Sequence, residues 1–146
     1  MASTVMNTVT KIGKSVHVAL YRMSGGKFAN RIANLPILLL TSTGRKSGKQ
    51  QTTPVVYVKD GEDFVVSASM GGMDWNPAWY HNLKSNPQAK IEVGDKTYNV
   101  NAVITEGEER NRLYEKFKTA SDNFVQYEQK TSRVIPVIRL TPVTTH

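Results

Sequence analysis

The chain has 146 residues, room for one domain with a single hydrophobic core, and its 39% hydrophobic and 21% charged residues exclude a disordered chain. It has no cysteine, which excludes disulfides, thiolate metal sites and a cysteine nucleophile; His17, His81 and His146 are too scattered for a metal cluster. The formal charge of +7 is unevenly placed, since residues 1–59 hold nine Lys/Arg and no Asp/Glu while the chain from Asp60 onward has a net charge of −2.

Such asymmetry points to an anionic partner for the first part: nucleic acid, a membrane surface or a polyanionic small molecule. The longest apolar run, Leu35 to Leu40, is too short to span a bilayer, and residues 1–26 lack a secretory signal pattern, so a cytoplasmic location is expected.

In chain order, Val5, Val9, Ile12, Val16, Leu20 and Met23 recur at helical spacing, with Lys11, Lys14 and Arg22 on the other side. This amphipathic helix, residues 1–26 with its stop at Ser24-Gly25-Gly26, either packs on its own domain, serves as a mobile arm, or lays residues 1–25 on an anionic membrane surface; the pattern fits each. Leu35 to Ser42 and Thr52 to Lys59 read as strands, and Asp60-Gly61 as a hairpin turn into Phe64-Val65-Val66. Asn76 stands as an N-cap and Pro77 in the first turn of a helix that ends before Pro87. Ile91 to Val93 and Thr97 to Ile104 form a second hairpin around Gly94-Asp95. Thr105 to Glu108 has capping-box spacing before a helix that buries Leu113 and Phe117. A short helix begins near Ser121, and Pro136 to Leu140 is a closing strand. About six strands joined by hairpins predict an α+β domain over residues 27–146, mainly a small antiparallel barrel with flanking helices. No GxGxxG follows a strand, so a dinucleotide fold has no support.

Three segments are candidates for chemistry. Gly44-Arg45-Lys46-Ser47-Gly48-Lys49 packs three cations, a hydroxyl and two glycines into one connection, and its amides can form an anion-binding nest. Its glycine spacing is one residue short of a P-loop, Gln50 replaces the magnesium-binding hydroxyl, and a strand follows. Ser67-Ala68-Ser69-Met70-Gly71-Gly72 is small enough for a flat ring to approach the backbone. In Asn76 to Leu83, Trp79, Tyr80 and Leu83 read as core, and His81 as a surface residue.

Thr43 to Gly48, then Thr53-Pro54, then Ala68 to Gly72, then Asn76 to Leu83, in this order and spacing, resemble the deazaflavin-dependent nitroreductase and quinone reductase family over about Leu35 to Pro142. The resemblance implies a split β-barrel of the flavin-reductase/pyridoxamine-oxidase type and coenzyme F420, an 8-hydroxy-5-deazaflavin, as cofactor. It implies an oxidoreductase that moves hydride from reduced F420 to a quinone-like or other small organic acceptor, nitroaromatics included for some members. Arg45, Lys46, Ser47 and Gly48 would hold the cofactor's phosphate and oligoglutamate tail. Thr53, Pro54, Val56, Ser69, Met70, Gly71, Gly72, Ala78 and Trp79 would line the deazaflavin. Phe124 and Tyr127 would stand beside the substrate, with Tyr127 and Ser69 as the catalytic hydroxyls and no metal.

Gln51 stands where many relatives have arginine and Met70 where some have lysine. Ser121 and Phe124 fall where nitroreductive members carry tyrosines, so only Tyr127 remains of that hydroxyl set. The anionic tail accounts for the basic first part. Nucleic acid is not expected, since only Tyr21, Phe28 and Tyr57 are interleaved with its charges. The rival readings are a lipid or fatty-acid binder on the same barrel, and the barrel with ordinary flavin mononucleotide.

Overall fold

In a computed structural model, residues 14–27, 30–32 and 34–143 are described. The helix α1 covers residues 14–23 of this range. The strands are β1 (Arg31–Ile32), β2 (Leu35–Thr43), β3 (Gln50–Asp60), β4 (Asp63–Ser67), β5 (Gln88–Val93), β6 (Lys96–Ile104) and β7 (Val137–Pro142). Between them lie a single turn of 3-10 helix at Met70–Gly72 and the helices α2 (Ala78–Ser85), α3 (Gly107–Ala120) and α4 (Asn123–Lys130).

All strand pairs are antiparallel, in the order β1-β2-β3-β4-β7-β6-β5, and a β2–β5 pairing closes the sheet. Six strands, β2 to β7, thereby form a barrel, with β1 appended at one end of β2. The expected hairpins are present, β3–β4 turning at Gly61-Glu62 and β5–β6 at Gly94-Asp95. Closure leaves the six strands without a free edge.

β2 explains the uninterrupted run Leu35 to Leu40. Leu38 and Leu40 point into the barrel with Val55, Phe64, Val66 and Ile138, whereas Ile37 and Leu39 lie outside beneath Tyr21 and Val18 of α1. A strand buried on both faces has no reason to alternate. A separate outer cluster, Leu35, Val65, Leu113, Tyr114, Phe117, Phe124, Ile135 and Val137, attaches α3 and α4 to the sheet.

The described part of α1 docks through a face other than the apolar stripe. Tyr21 is buried and its hydroxyl accepts from Gly94 N–H at 2.8 Å, while Arg22 makes a two-pronged pair with Glu92 at 3.0 and 2.7 Å. Val16, Leu20 and Met23 remain 53%, 40% and 84% exposed. Lys11, Val5, Val9 and Ile12 lie outside the described residues.

Both expected helix caps are replaced. The residue at the N-cap of α2 is Pro77, and Asn76 Oδ1 instead accepts from Arg133 Nη1 at 2.8 Å. Glu106 stands at the N-cap of α3, and Thr105 Oγ1 donates to Val137 C=O at 2.7 Å rather than capping. In each case a partner far along the chain takes the polar side chain that the local motif would have used.

Candidate active site

The three segments singled out in the sequence converge outside the barrel, where β3, β4, the loop after β4, α2 and α4 meet. A cavity of about 400 Å3 opens there. Thr53, Pro54, Val55 and Val56 of β3 and Ser67 of β4 line it, with Ser69, Met70 and Gly71 from the loop. Pro77, Ala78 and Trp79 stand at the start of α2, and Phe124 and Tyr127 on α4. Lys14, Ile32 and Gln51 complete the lining. Its walls are mostly apolar, as suits a flat organic ring with a few polar anchors.

A second cleft of about 200 Å3 adjoins it, lined by Gly44, Arg45, Lys46, Ser47, Gln51, Ala78 and Asn82. Gln51 and Ala78 line both spaces. The connection between β2 and β3 is a closed turn, with Gly44 N–H bonded to Lys49 C=O and Gly48 N–H to Gly44 C=O, both at 2.8 Å. A Cβ on Gly44 would come within 2.7 Å of Ser47 Oγ, so a side chain there would push that hydroxyl aside. Arg45 N–H donates to Asn82 Oδ1 at 3.1 Å, and Lys49 N–H to Ser47 Oγ at 3.1 Å. Among the described residues no protein acceptor takes the Lys46 and Ser47 amides. Half-buried His81 registers the local field: burial first, then the charges of Arg45 and Lys84, hold its pKa below the ordinary histidine range.

Of the residues expected at the site, Arg45, Lys46 and Ser47 line the basic cleft, and Thr53, Pro54, Val56, Ser69, Met70, Gly71, Ala78, Trp79, Phe124 and Tyr127 line the apolar one. Gly48 and Gly72 line neither. Gly48, at φ +71°, closes the basic turn. Met70, Gly71 and Gly72 have φ of 49°, 63° and 82°, so the loop turns through the left-handed region. A Cβ on Gly72 would meet the Tyr127 backbone at 3.0 Å, so its smallness serves the approach of α4 rather than that of a ring.

Two residues that organise the site were assigned no role from the sequence, although Asn82 lies within the Asn76 to Leu83 segment. Asn82 is 3% exposed; besides accepting from Arg45, it donates to Ser42 Oγ at 3.2 Å and to Gln51 Oε1 at 3.0 Å, tying α2 to the basic turn. Gln51 is thereby held by α2. Arg133 donates to Met73 C=O at 2.8 Å, to Ala68 and Ser69 C=O at 3.2 and 3.1 Å, and to Asn76. Thr131 Oγ1 adds a bond to Asp74 at 2.9 Å, so the segment after α4 pins the loop from both ends. α4 is braced in turn by Tyr114, whose hydroxyl donates to Phe124 C=O at 2.7 Å. Burial pushes that phenol's pKa up to about 12.

A mostly apolar slot that adjoins a basic cleft suits a ring that bears an anionic tail. The family model of F420H(2)-dependent quinone reductases matches residues 14–142. The chain belongs to that family. It is an F420H2-dependent reductase, with coenzyme F420 as its cofactor. It is 38% identical over 130 residues to the F420H(2)-dependent quinone reductase Rv1261c of Mycobacterium tuberculosis, covering 86% of this chain and 87% of the relative. A solved F420-H2-dependent reductase, FDR-A, superposes with a TM-score of 0.67 at 38% identity, over 72% of this chain and 93% of that one. A pyridoxamine 5′-phosphate oxidase-like structure from Listeria innocua, 16% identical with a TM-score of 0.55 over 74% of this chain and 84% of the other, shares the fold alone. The expected split barrel is therefore the fold observed.

The residues present fit the cofactor. The cleft offers two cationic side chains and two amides, groups that suit phosphate and carboxylates. The slot has mostly apolar walls and includes one buried hydroxyl, Ser67 Oγ, without a partner among the described residues.

Proposed function

We propose that this reductase transfers hydride from reduced F420 to a quinone-like acceptor, with the ring in the apolar slot and the phosphate and tail in the basic cleft. The observation that carries this reading is the continuity of the two spaces through Gln51 and Ala78. When bound, the reduced deazaflavin supplies the hydride. The protein's part is to bind, orient and protonate. Arg45, Lys46 and Ser47 hold the anionic end, while Thr53, Pro54, Val56, Met70, Gly71, Ala78 and Trp79 flank the ring.

Phe124 and Tyr127 line the slot from α4 and would confine a planar acceptor against the cofactor, at near-attack distance. The acceptor becomes anionic as hydride arrives; the Tyr127 or Ser69 hydroxyl can hydrogen-bond the oxyanion, and Tyr127 or water can deliver the proton, with solvent replacing it. With a single tyrosine on this wall, quinones are better matched than nitroaromatics. A lipid or fatty-acid binder would use the same apolar slot but leave the basic cleft without a role.

Stopped-flow absorbance at the oxidation of the reduced cofactor provides the test. Reduced F420 should be consumed in the presence of a water-soluble quinone, and NADPH much more slowly. Equal or faster turnover with NADPH would end this reading.

The exposed stripe of Val16, Leu20 and Met23 supports a further element, contact of residues 1–25 with an anionic membrane surface on its cytoplasmic face. Each nearby basic residue is worth roughly 1 kcal/mol toward such a surface. Deleting the helix would uncover Ile37 and Leu39, so the cleaner variant is the pair Val16→Glu and Leu20→Glu. The pair should abolish co-sedimentation with anionic vesicles and leave turnover of a water-soluble quinone unchanged. Sedimentation equal to wild type would remove the membrane contact.

A further inference from the structure

β4 alternates strictly. Phe64 and Val66 enter the barrel core, and Val65 lies outside under α3 and α4. By that period Ser67 shares the outer face with Val65, and it lines the slot together with Val56 and Phe124. Ser67 is 4% exposed, and its Oγ is the one buried side-chain polar atom without a hydrogen-bond partner among the described residues. Two other buried hydroxyls are satisfied: Thr41 Oγ1 pairs with Thr52 Oγ1 at 2.8 Å, and Ser42 Oγ accepts from Asn82. A desolvated hydroxyl with nothing to bond is unfavourable, and in a cavity wall it is open to a water or a ligand atom.

We propose that the Ser67 hydroxyl donates a hydrogen bond to a ring carbonyl of the deazaflavin and so sets the ring's orientation in the slot. This rests on the reading that the ring occupies that slot. Pro54 has no N–H, and Val56, Ala78 and Trp79 offer apolar surface on which a flat ring is free to slide and rotate. A buried donor at a fixed place in such a wall sets the direction of the ring. Ser67 belongs to the sheet, whereas Phe124 and Tyr127 stand on α4, so the donor is assigned to the cofactor and the helix to the acceptor.

The test compares wild type, Ser67→Ala and Arg45→Ala in calorimetric titrations with oxidised F420 and with its riboside, which lacks phosphate and glutamates. Loss of one neutral hydrogen bond should weaken Ser67→Ala binding about three- to tenfold, equally for both ligands, and move the absorbance maximum of the bound ring. Arg45→Ala should lose affinity for F420 only. The melting temperature of cofactor-free Ser67→Ala should equal or exceed that of wild type, because the unpaired buried hydroxyl is gone. Unchanged dissociation constants, or a loss confined to the acceptor's KM, would overturn the assignment. A lower melting temperature of the free variant would make the hydroxyl a structural group and overturn it equally. Wild type that binds neither ligand would withdraw the cofactor reading itself.

Discussion

Arg45→Ala is expected to weaken F420 binding about tenfold to hundredfold, the equivalent of one charge-assisted hydrogen bond of roughly 1.5–3 kcal/mol. The guanidinium is exposed at the rim of the basic cleft, while the Arg45 backbone is held separately by Asn82. Truncating the side chain therefore removes charge without unfastening the turn. Lys46→Ala should behave alike, since Lys46 lines the same cleft, whereas Lys49 does not line it and should matter less. The loss should shrink at high salt, because exposed charges are screened beyond roughly 8–10 Å at moderate ionic strength. It should vanish for the riboside. Calorimetry at two salt concentrations checks both points, and an equal loss for the two ligands would mean that Arg45 acts through the fold.

Most strands were legible because their signals are local. Two-residue turns at Gly61 and Gly94 join segments rich in Val, Thr and Tyr, and the run Leu35 to Leu40 fits a strand covered on both faces. β1 escaped notice, being only two residues long. The helix starts were misread at Asn76 and Thr105 for a shared reason. Arg133 and Val137, far away in sequence, capture side chains that the local motif assigns to caps.

The same division runs through the site. The basic turn, the small-residue loop and the start of α2 announced themselves through composition and order. The roles of Ser67 and Asn82, which lie inside those segments, did not, and Arg133 lies outside them altogether. An asparagine in a helix, an arginine after one and a serine ending a strand are ordinary in sequence. Their importance lies in bonds made, or left unmade, across 31 to 65 residues of chain. Lys14 likewise joins the slot because α1 folds back over β2, which no spacing within residues 14–23 discloses.

Gly72→Ala should destabilise the protein by about 2–4 kcal/mol and lower turnover by one to two orders of magnitude, a far larger effect than Gly71→Ala one residue earlier along the chain. Both glycines have φ in the left-handed region, where a side chain costs roughly 1–2 kcal/mol. Their surroundings differ. Nothing lies within 4 Å of a Cβ built on Gly71, so that variant carries the backbone strain alone. A Cβ on Gly72 would stand 3.0 Å from Tyr127 Cα, Tyr127 O and Lys130 Cβ, and backbone atoms of a helix do not swing aside as a flexible side chain would. α4 must then shift outward, taking Phe124 and Tyr127 away from the slot. Differential scanning calorimetry should show a loss of roughly 4–16 °C for Gly72→Ala at the usual 2–4 °C per kcal/mol for a chain of this size. Tyr127→Phe serves as the comparison, because it removes the hydroxyl without moving the helix. It should lower kcat with the melting temperature and F420 affinity near wild type. If Gly72→Ala melts and turns over like Gly71→Ala, the contact between loop and helix does not position Tyr127, and the role of α4 as the acceptor-facing wall loses its support.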